Sequence, residues 1–335
     1  MMVSVCMITY NQEKYIAEAI EGVLMQQTGF PVELIIGEDC STDNTRNICL
    51  EYKEKHPDFI KLLLPEKNLG IMPNFIATLN ACTGKYIALC EGDDYWIDPN
   101  KLQKQVDFLE ANEDFSTCFH QVRIKKEHEN IIVDDDIIPE VSNVTDIYKL
   151  ARWNYIHTPS VVFRRNEDVL ETMSGLNDLC IGDYVIFMLN AKYGMIKKLP
   201  EEMAVYRTGM GVWTSEVDRY RLPNSLLMLD KLIKIFEYDN SISYSLNEQY
   251  RKLAFTLYNI LKIEKEYDKA YTLFQSLCAN HPNLVHEEYK IRMNELNYIK
   301  NTIVYRFGKY ILKISPLFRK RANNIRDTYY INQSK

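Results

Sequence analysis

Residues 89–99 read LCEGDDYWIDP. An apolar run, YIAL, feeds straight into Glu91, Asp93 and Asp94, and Tyr95 and Trp96 follow at once. A buried strand ending in three carboxylates is unfavourable by itself, because like charges that close disfavour ionisation. Either the stretch is a solvated turn, or something positive belongs beside it. Asp98 and Pro99 then open a helical pattern, KLQKQVDFLEAN, with Asp98 as the expected N-cap and Pro99 at the first helical position.

Working outward, the same alternation recurs. VSVCMIT (3–9) is a short, β-branched apolar run and reads as a buried strand. Residues 12–27 follow with Tyr15, Ile16, Ala19, Ile20, Val23 and Leu24 on one helical face. VELIIGED (32–39) is strand, and STDNTRNICLEYKEKHP a helix opened by capping residues. IKLLLP is strand, MPNFIATLNAC helix, and KYIALCEGDD the fourth strand. Strand–helix alternation predicts a largely parallel sheet with helices on both faces, and ligands in such sheets bind beyond the carboxyl ends of the strands. There the chain places Thr9, Tyr10 and Asn11, then Glu38 and Asp39, then Glu91, Asp93 and Asp94.

After residue 115 the pattern is mixed. FSTCFHQVRI and SVVFRR read as strands, GDYVIFMLNAKYG as a helix ending at Gly194, and MIKKLPEEMAVYR as two short strands. From about Val217 the chain reads as helices, with a hairpin turn near Glu266, so the domain boundary is expected near 217.

The 335 residues carry a formal charge of −6, which argues against a nucleic-acid partner. The eight cysteines show no CxxC spacing and read as reduced thiols. The start lacks the basic and long apolar segments of an export signal, and no apolar run approaches the ~20 residues of a membrane span. Together these features point to a cytoplasmic protein.

Four constellations carry chemistry. Glu91-Gly92-Asp93-Asp94 offers hard oxygen ligands of the kind that Mg²⁺ or Mn²⁺ takes alongside substrate phosphates, with Gly92 allowing a tight turn; the plain alternative is an acidic turn before a helix. Asp39, ending the second strand, suits a ribose or base, while Ser41, Thr42 and Asp43 suit helix capping. Asp183 opens a helix, where an anion is stabilised, and is either a base for a hydroxyl or a cap. In VYRTGMGVW (205–213), Arg207 either pairs with a phosphate or belongs to an interdomain connection. No GxGxxG follows the first or second strand, and no GxxxxGK[ST] or GxSxG occurs anywhere. The six histidines show no metal spacing.

Taken in order, VSVCMITYNQEKYIAEAIEGVLMQ, GEDCSTDNT, GKYIALCEGDDYWIDPNKLQKQVDFLE, TPSVVFRR, IGDYVIFM and MAVYRTGMGVW resemble glycosyltransferase family 2 over residues 2–215. The resemblance implies the GT-A fold, an α/β mixed, mostly parallel sheet flanked by helices, followed here by a C-terminal helical region (217–335). It implies inverting transfer of one sugar from a nucleotide-sugar donor, expected to be UDP-linked, to an acceptor hydroxyl. The acceptor would be a glycan or a polyprenyl-diphosphate-linked glycan in bacterial cell-surface polysaccharide assembly. By the resemblance, Thr9, Tyr10, Asn11, Asp39 and Asn68 would hold the nucleotide with Arg207. Asp93 and Glu91 would hold a divalent metal, and Asp183 would be the general base. Glu91 stands where the family usually has Asp, and TGMGVW (208–213) lacks the His many relatives carry, so no third protein ligand is implied from that loop. The processive members' Gln/Arg-x-x-Arg-Trp motif is absent. Two alternatives remain: a non-catalytic sugar-nucleotide-binding protein, and a sugar-1-phosphate nucleotidyltransferase, although TYNQEKY lacks the glycine-rich basic loop the latter needs. Residues 301–326 are basic with one apolar helical face, which suits either an anionic membrane surface or packing on the preceding helices.

Overall fold

A computed structural model describes residues 1–135, 141–209 and 218–301. The expected alternation is present: β1 (Val3–Thr9), α1 (Ile16–Leu24), β2 (Val32–Glu38), α2 (Thr45–Lys55), β3 (Ile60–Leu63), α3 (Ile71–Asn80) and β4 (Tyr86–Leu89). Then come β5 (Tyr95–Trp96), α4 (Lys101–Ala111), β6 (Phe115–Lys126), β7 (Ile131–Asp134), β8 (Val144–Thr145), α5 (Ile147–Leu150), β9 (Val162–Arg164), α6 (Glu167–Ser174), α7 (Asp183–Ala191) and β10 (Met195–Thr208). Four helices follow: α8 (Asp218–Ile235), α9 (Asn240–Ile263), α10 (Tyr267–Asn280) and α11 (Pro282–Asn301).

The sheet runs β3-β2-β1-β4-β9-β6-β10-β5, with β7 on β6 and β8 on β10. The β1, β2, β3 and β4 ladders and the long β6–β10 ladder are parallel; the short ladders that insert β9 and append β5, β7 and β8 are antiparallel. The chain moves outward from β1 to β3, then returns to place β4 on β1's other side. The strand order therefore reverses at β1, and a crevice opens above the carboxyl ends of β2, β1 and β4, the place where open α/β sheets bind ligands.

Two local expectations change. The helix expected at Pro99 begins at Lys101; Asp98 instead accepts from the Asn100 N–H (2.8 Å), a turn one step before the helix. The two strands expected over 195–207 are one strand, β10, whose register against β6 shifts on either side of Glu202. Pro200 cannot donate to a ladder, and the shift leaves it unpaired while the strand continues.

The chain divides into compact units at 1–265 and 266–335, not at 217. Residues 210–217, around the expected boundary, lie outside the described residues, but α8 and α9 belong to the first unit. Leu229 and Leu232 of α8, Phe236 just after it, and Ile242 and Leu246 of α9 are buried in the same core as the sheet. The expected turn near Glu266 is present: α9 ends at Ile263 and Lys265 takes a positive φ of 63°. In the second unit α10 packs on α11. The basic stretch beyond Asn301 lies outside the described residues. No described helix is long and apolar enough to cross a membrane.

Close approach of α3 to β2 sets the floor of the crevice. Asn74 donates to the Gly37 carbonyl (2.8 Å), and a Cβ on Gly37 would stand 2.6 Å from Asn74 Oδ1 and collide with the Thr78 hydroxyl. Gly37→Ala is expected to lower stability by about 1–3 kcal/mol, read as a reduced urea midpoint; an unchanged midpoint would show that α3 yields freely.

Candidate active site

The turns after β1 and β2 are both left-handed. Asn11 has φ 52° and Cys40 φ 61°. Asparagine tolerates that region; cysteine holds it only because its neighbours fix it. Asn11 Oδ1 accepts from the Thr42 N–H (2.8 Å), and the Asn11 N–H donates to the Ser41 hydroxyl (2.9 Å), stitching the two turns together. Glu38 does not face the crevice. It is fully buried, ion-paired to Arg46, and accepts from the Ser41 N–H (2.7 Å).

Asp39 is buried on the crevice wall. Its two carboxylate oxygens accept from the Leu69 and Gly70 N–H groups (2.7 and 2.9 Å), and its carbonyl accepts from Asn68 Nδ2 (3.0 Å). Asp39 thus fixes the 68–70 turn beside the cavity.

The crevice is a cavity of about 530 Å³. Of the residues expected to bind nucleotide, it is lined by Thr9, Tyr10, Asp39, Asn68, Asp93 and Arg207; Asn11 is not among them, because its side chain is committed to Thr42. Glu91 and Asp183 line it too. Gln12, Asn154, Thr158 and Tyr206 join them, and residues of α8 and α9 complete the lining. These additions carried no sequence signal of their own, although Gln12, Thr158 and Tyr206 lie inside motifs already quoted.

The acidic turn is the electrostatic centre. Carboxylate oxygens of Glu91, Asp93 and Asp94 lie within 4.8 Å of one another. Thr9 donates to Gln12 Oε1 (2.7 Å), and Gln12 in turn hydrogen-bonds Asp93. Gly92 lies in the expected tight turn, closed by the Asp94 N–H donating to the Glu91 carbonyl (3.1 Å), and does so without positive φ. It is needed for space: a Cβ there would stand 2.5 Å from Gln12 Oε1 and 2.7 Å from the Thr9 hydroxyl.

Burial raises the pKa of every acid in this group. Glu91 is pushed up to about 8 by burial and by the charges of Asp93 and Asp183. Asp94 is driven well above the carboxylate range by burial and by Asp93 and Glu91, and its Oδ2 is buried without a partner. Asp93 is raised by burial, opposed by hydrogen bonds and by Arg207. Asp183 is raised by burial, opposed by the α7 backbone N–H groups, His157 and Asn154. It is the first residue of α7, directly after the N-cap Gly182, and it lines the cavity. Hard oxygen donors, mutual repulsion and an unpartnered buried oxygen fit a divalent cation of the Mg²⁺ or Mn²⁺ type.

Arg207 is placed differently from expectation. Its guanidinium is buried between the rings of Tyr15 and Tyr95, 4.8 and 4.5 Å from their centroids. Nε donates to Glu127 Oε1 (2.8 Å), Nη2 to Glu18, and Nη1 to the Asp93 carbonyl. Its own N–H donates to Asp94 Oδ1 (2.8 Å). With every edge engaged by protein, Arg207 positions the acidic turn rather than reaching for a phosphate. Residues 210–217 of its glycine-rich loop lie outside the described residues.

With this geometry in place, comparison with known proteins decides the family. The profile of glycosyl transferase family 2 matches residues 4–167. Residues 4–167 are a glycosyltransferase family 2 domain. An uncharacterised protein of Mycobacterium tuberculosis is 42% identical over 216 residues, covering 63% of this chain and 60% of the relative. The match therefore spans less than two thirds of that relative's length. A Bacillus subtilis protein, TuaG, named as a candidate teichuronic acid biosynthesis glycosyltransferase, is 37% identical over 108 residues, 32% of this chain and 42% of TuaG. Among solved structures, S. aureus TarS (1–349) in complex with UDP-GlcNAc aligns with a TM-score of 0.55 at 19% identity, covering 76% of this chain and 71% of that one. The mannosyltransferase PcManGT from Pyrobaculum calidifontis, in complex with GDP-Man and Mn²⁺, gives 0.55 at 17% identity, covering 91% and 82%. The fold is GT-A.

Replacing Arg207 by Ala is expected to cost about 2–3 kcal/mol in urea unfolding, because it removes the charge-assisted bonds to Glu127 and the Asp93 carbonyl and releases the turn, although Lys125 still pairs with Glu127 (3.3 Å). Arg207→Lys is expected to recover less than half of that, since an ammonium cannot span Glu18, Glu127 and the Asp93 carbonyl. A loss below about 1 kcal/mol for Arg207→Ala would contradict the positioning role.

Proposed function

We propose that the protein transfers a single sugar from a nucleotide-diphosphate sugar to an acceptor hydroxyl, with inversion at the anomeric carbon. The observation that carries this reading is that acids from two separate parts of the chain line one cavity: Glu91 and Asp93 of the acidic turn, and Asp183 at the start of α7.

In this reading Thr9, Tyr10, Asp39 and Asn68 seat the base and ribose at the ends of β1 and β2. Asp93 and Glu91 hold a divalent cation, Mg²⁺ or Mn²⁺, which when bound compensates the charge of the departing diphosphate. Gln12 and Arg207 keep Asp93 in place, through its side chain and its carbonyl respectively. Asp183 accepts the proton of the acceptor hydroxyl; its raised pKa makes it a stronger base than an ordinary carboxylate. The acceptor oxygen bonds to the anomeric carbon as the carbon–oxygen bond to the diphosphate breaks, and the nucleoside diphosphate departs with that electron pair. No enzyme nucleophile is needed for one displacement. Support comes from the UDP-GlcNAc, GDP-Man and Mn²⁺ bound by proteins of the same fold, and from the name of TuaG for a role in cell-surface polysaccharide assembly.

The paired variants Asp93→Ala and Asp183→Asn test it. Asp93→Ala is expected to remove metal-dependent donor binding. Asp183→Asn is expected to bind donor as the parent does and to lower turnover by about 10²-fold or more, the scale of a lost general base. Transfer at the parent rate by Asp183→Asn would remove Asp183 from the reaction.

A further inference from the structure

Part of the cavity lining lies beyond the residues matched by the family 2 profile. It is built by α8 and α9, with Ser225, Met228 and Leu229 from one helix and Gln249 and Leu253 from the other. Spacings of three and four residues put each set on one helical face. This wall is fastened next to Asp183. Gln249 Nε2 donates to the Tyr184 hydroxyl (2.9 Å) and to the Ala151 carbonyl (2.7 Å), and the Tyr184 hydroxyl donates to the Leu150 carbonyl (2.8 Å). The apolar surface of Met228 and Leu253 is thereby tied to the turn of α7 that carries the proposed base, whereas the turns proposed to hold the nucleotide follow β1 and β2.

Charge sharpens the reading. Among the described residues lining the cavity, Glu91, Asp93, Asp39 and Asp183 are acids and Arg207 is the one cation. The guanidinium of Arg207 is already bonded to Glu18, Glu127 and the Asp93 carbonyl. An acceptor that placed a phosphate against the α8–α9 wall would bury its charge beside carboxylates with no described cation to meet it, which is strongly disfavoured. A neutral acceptor with an apolar group beside its hydroxyl-bearing sugar would instead bury that group against Leu253 and the edge of Met228.

Resting on the transferase reading above, we propose that α8 and α9 form an acceptor subsite for a neutral glycoside with an apolar aglycone, which Leu253 and Met228 contact while the sugar hydroxyl faces Asp183. Any acidic group of the full acceptor then lies outside the cavity.

The test is a binding comparison on the full chain with three probes of one hexose: octyl glucoside below its micellar concentration, glucose, and glucose-1-phosphate. Octyl glucoside is expected to bind at least about tenfold tighter than either of the others. Leu253→Gln, which keeps the size of the side chain, is expected to erase that preference while leaving its melting curve and its binding of a UDP-, GDP- or dTDP-sugar with Mn²⁺ at parent values. Met228→Gln serves as the second variant if Leu253→Gln melts early. Equal or tighter binding of glucose-1-phosphate, no binding of octyl glucoside, or an undiminished preference in both variants would overturn the inference. Because the probes are titrated without nucleotide, the result is separate from the donor reading. Failure of every nucleotide sugar to bind would strike the transferase proposal while the octyl glucoside comparison still reads the wall.

Discussion

Everything at the mouth of the sheet depends on how Arg207 is held. Its guanidinium lies between Tyr15 and Tyr95 and joins α1 through Glu18, the β6–β7 turn through Glu127, and the acidic turn through the Asp93 carbonyl. The contact to Asp93 is to the main chain, and two glutamates share the positive charge. Arg207 therefore organises the acidic turn without cancelling its charge. Glu91, Asp93 and Asp94 remain crowded and their pKa values remain raised, which a divalent cation would relieve.

Topology supplies the rest of the geometry. The strand order turns back at β1, so the ends of β1, β2 and β4 meet at one crevice. The left-handed turns at Asn11 and Cys40 are locked together by Asn11 and Thr42, and Asp39 pins the 68–70 turn alongside them. Gly92 and Gly37 serve by having no Cβ where neighbouring side chains pass close, so the acidic turn rests on Thr9 and Gln12, and α3 on β2. Space, more than backbone freedom, is what these two glycines provide.

The strand–helix alternation and the convergence of acids on one rim were legible in the sequence, because periodicity and strand-end position are local properties. Partnerships were not. Arg207 in a glycine-rich loop reads as a ligand-binding side chain, and only the fold reveals Glu18 and Glu127, 189 and 80 positions away in the chain. Glu38 and Asp39 are neighbours of the same charge, yet Arg46 takes one inward while the other lines the cavity. Lys101 belongs to a polar-looking helix start, but it is fully buried over the Trp96 ring, 4.1 Å from its centroid, and burial lowers its pKa to about 7. The compact unit extends to Lys265 because the apolar faces of α8 and α9 complete the sheet's core. An amphipathic stripe alone does not reveal which surface it will cover.

The central claim is that the unmatched negative charge at the carboxyl ends of β1, β2 and β4 is a site for a cation and a nucleotide diphosphate. Calorimetric titration of the purified chain with UDP-, GDP- and dTDP-sugars, with and without Mn²⁺, tests it most directly. Saturable binding of one donor that appears only with the metal is the predicted result. Equal binding without the metal, or no binding of any donor by a folded sample, would contradict it.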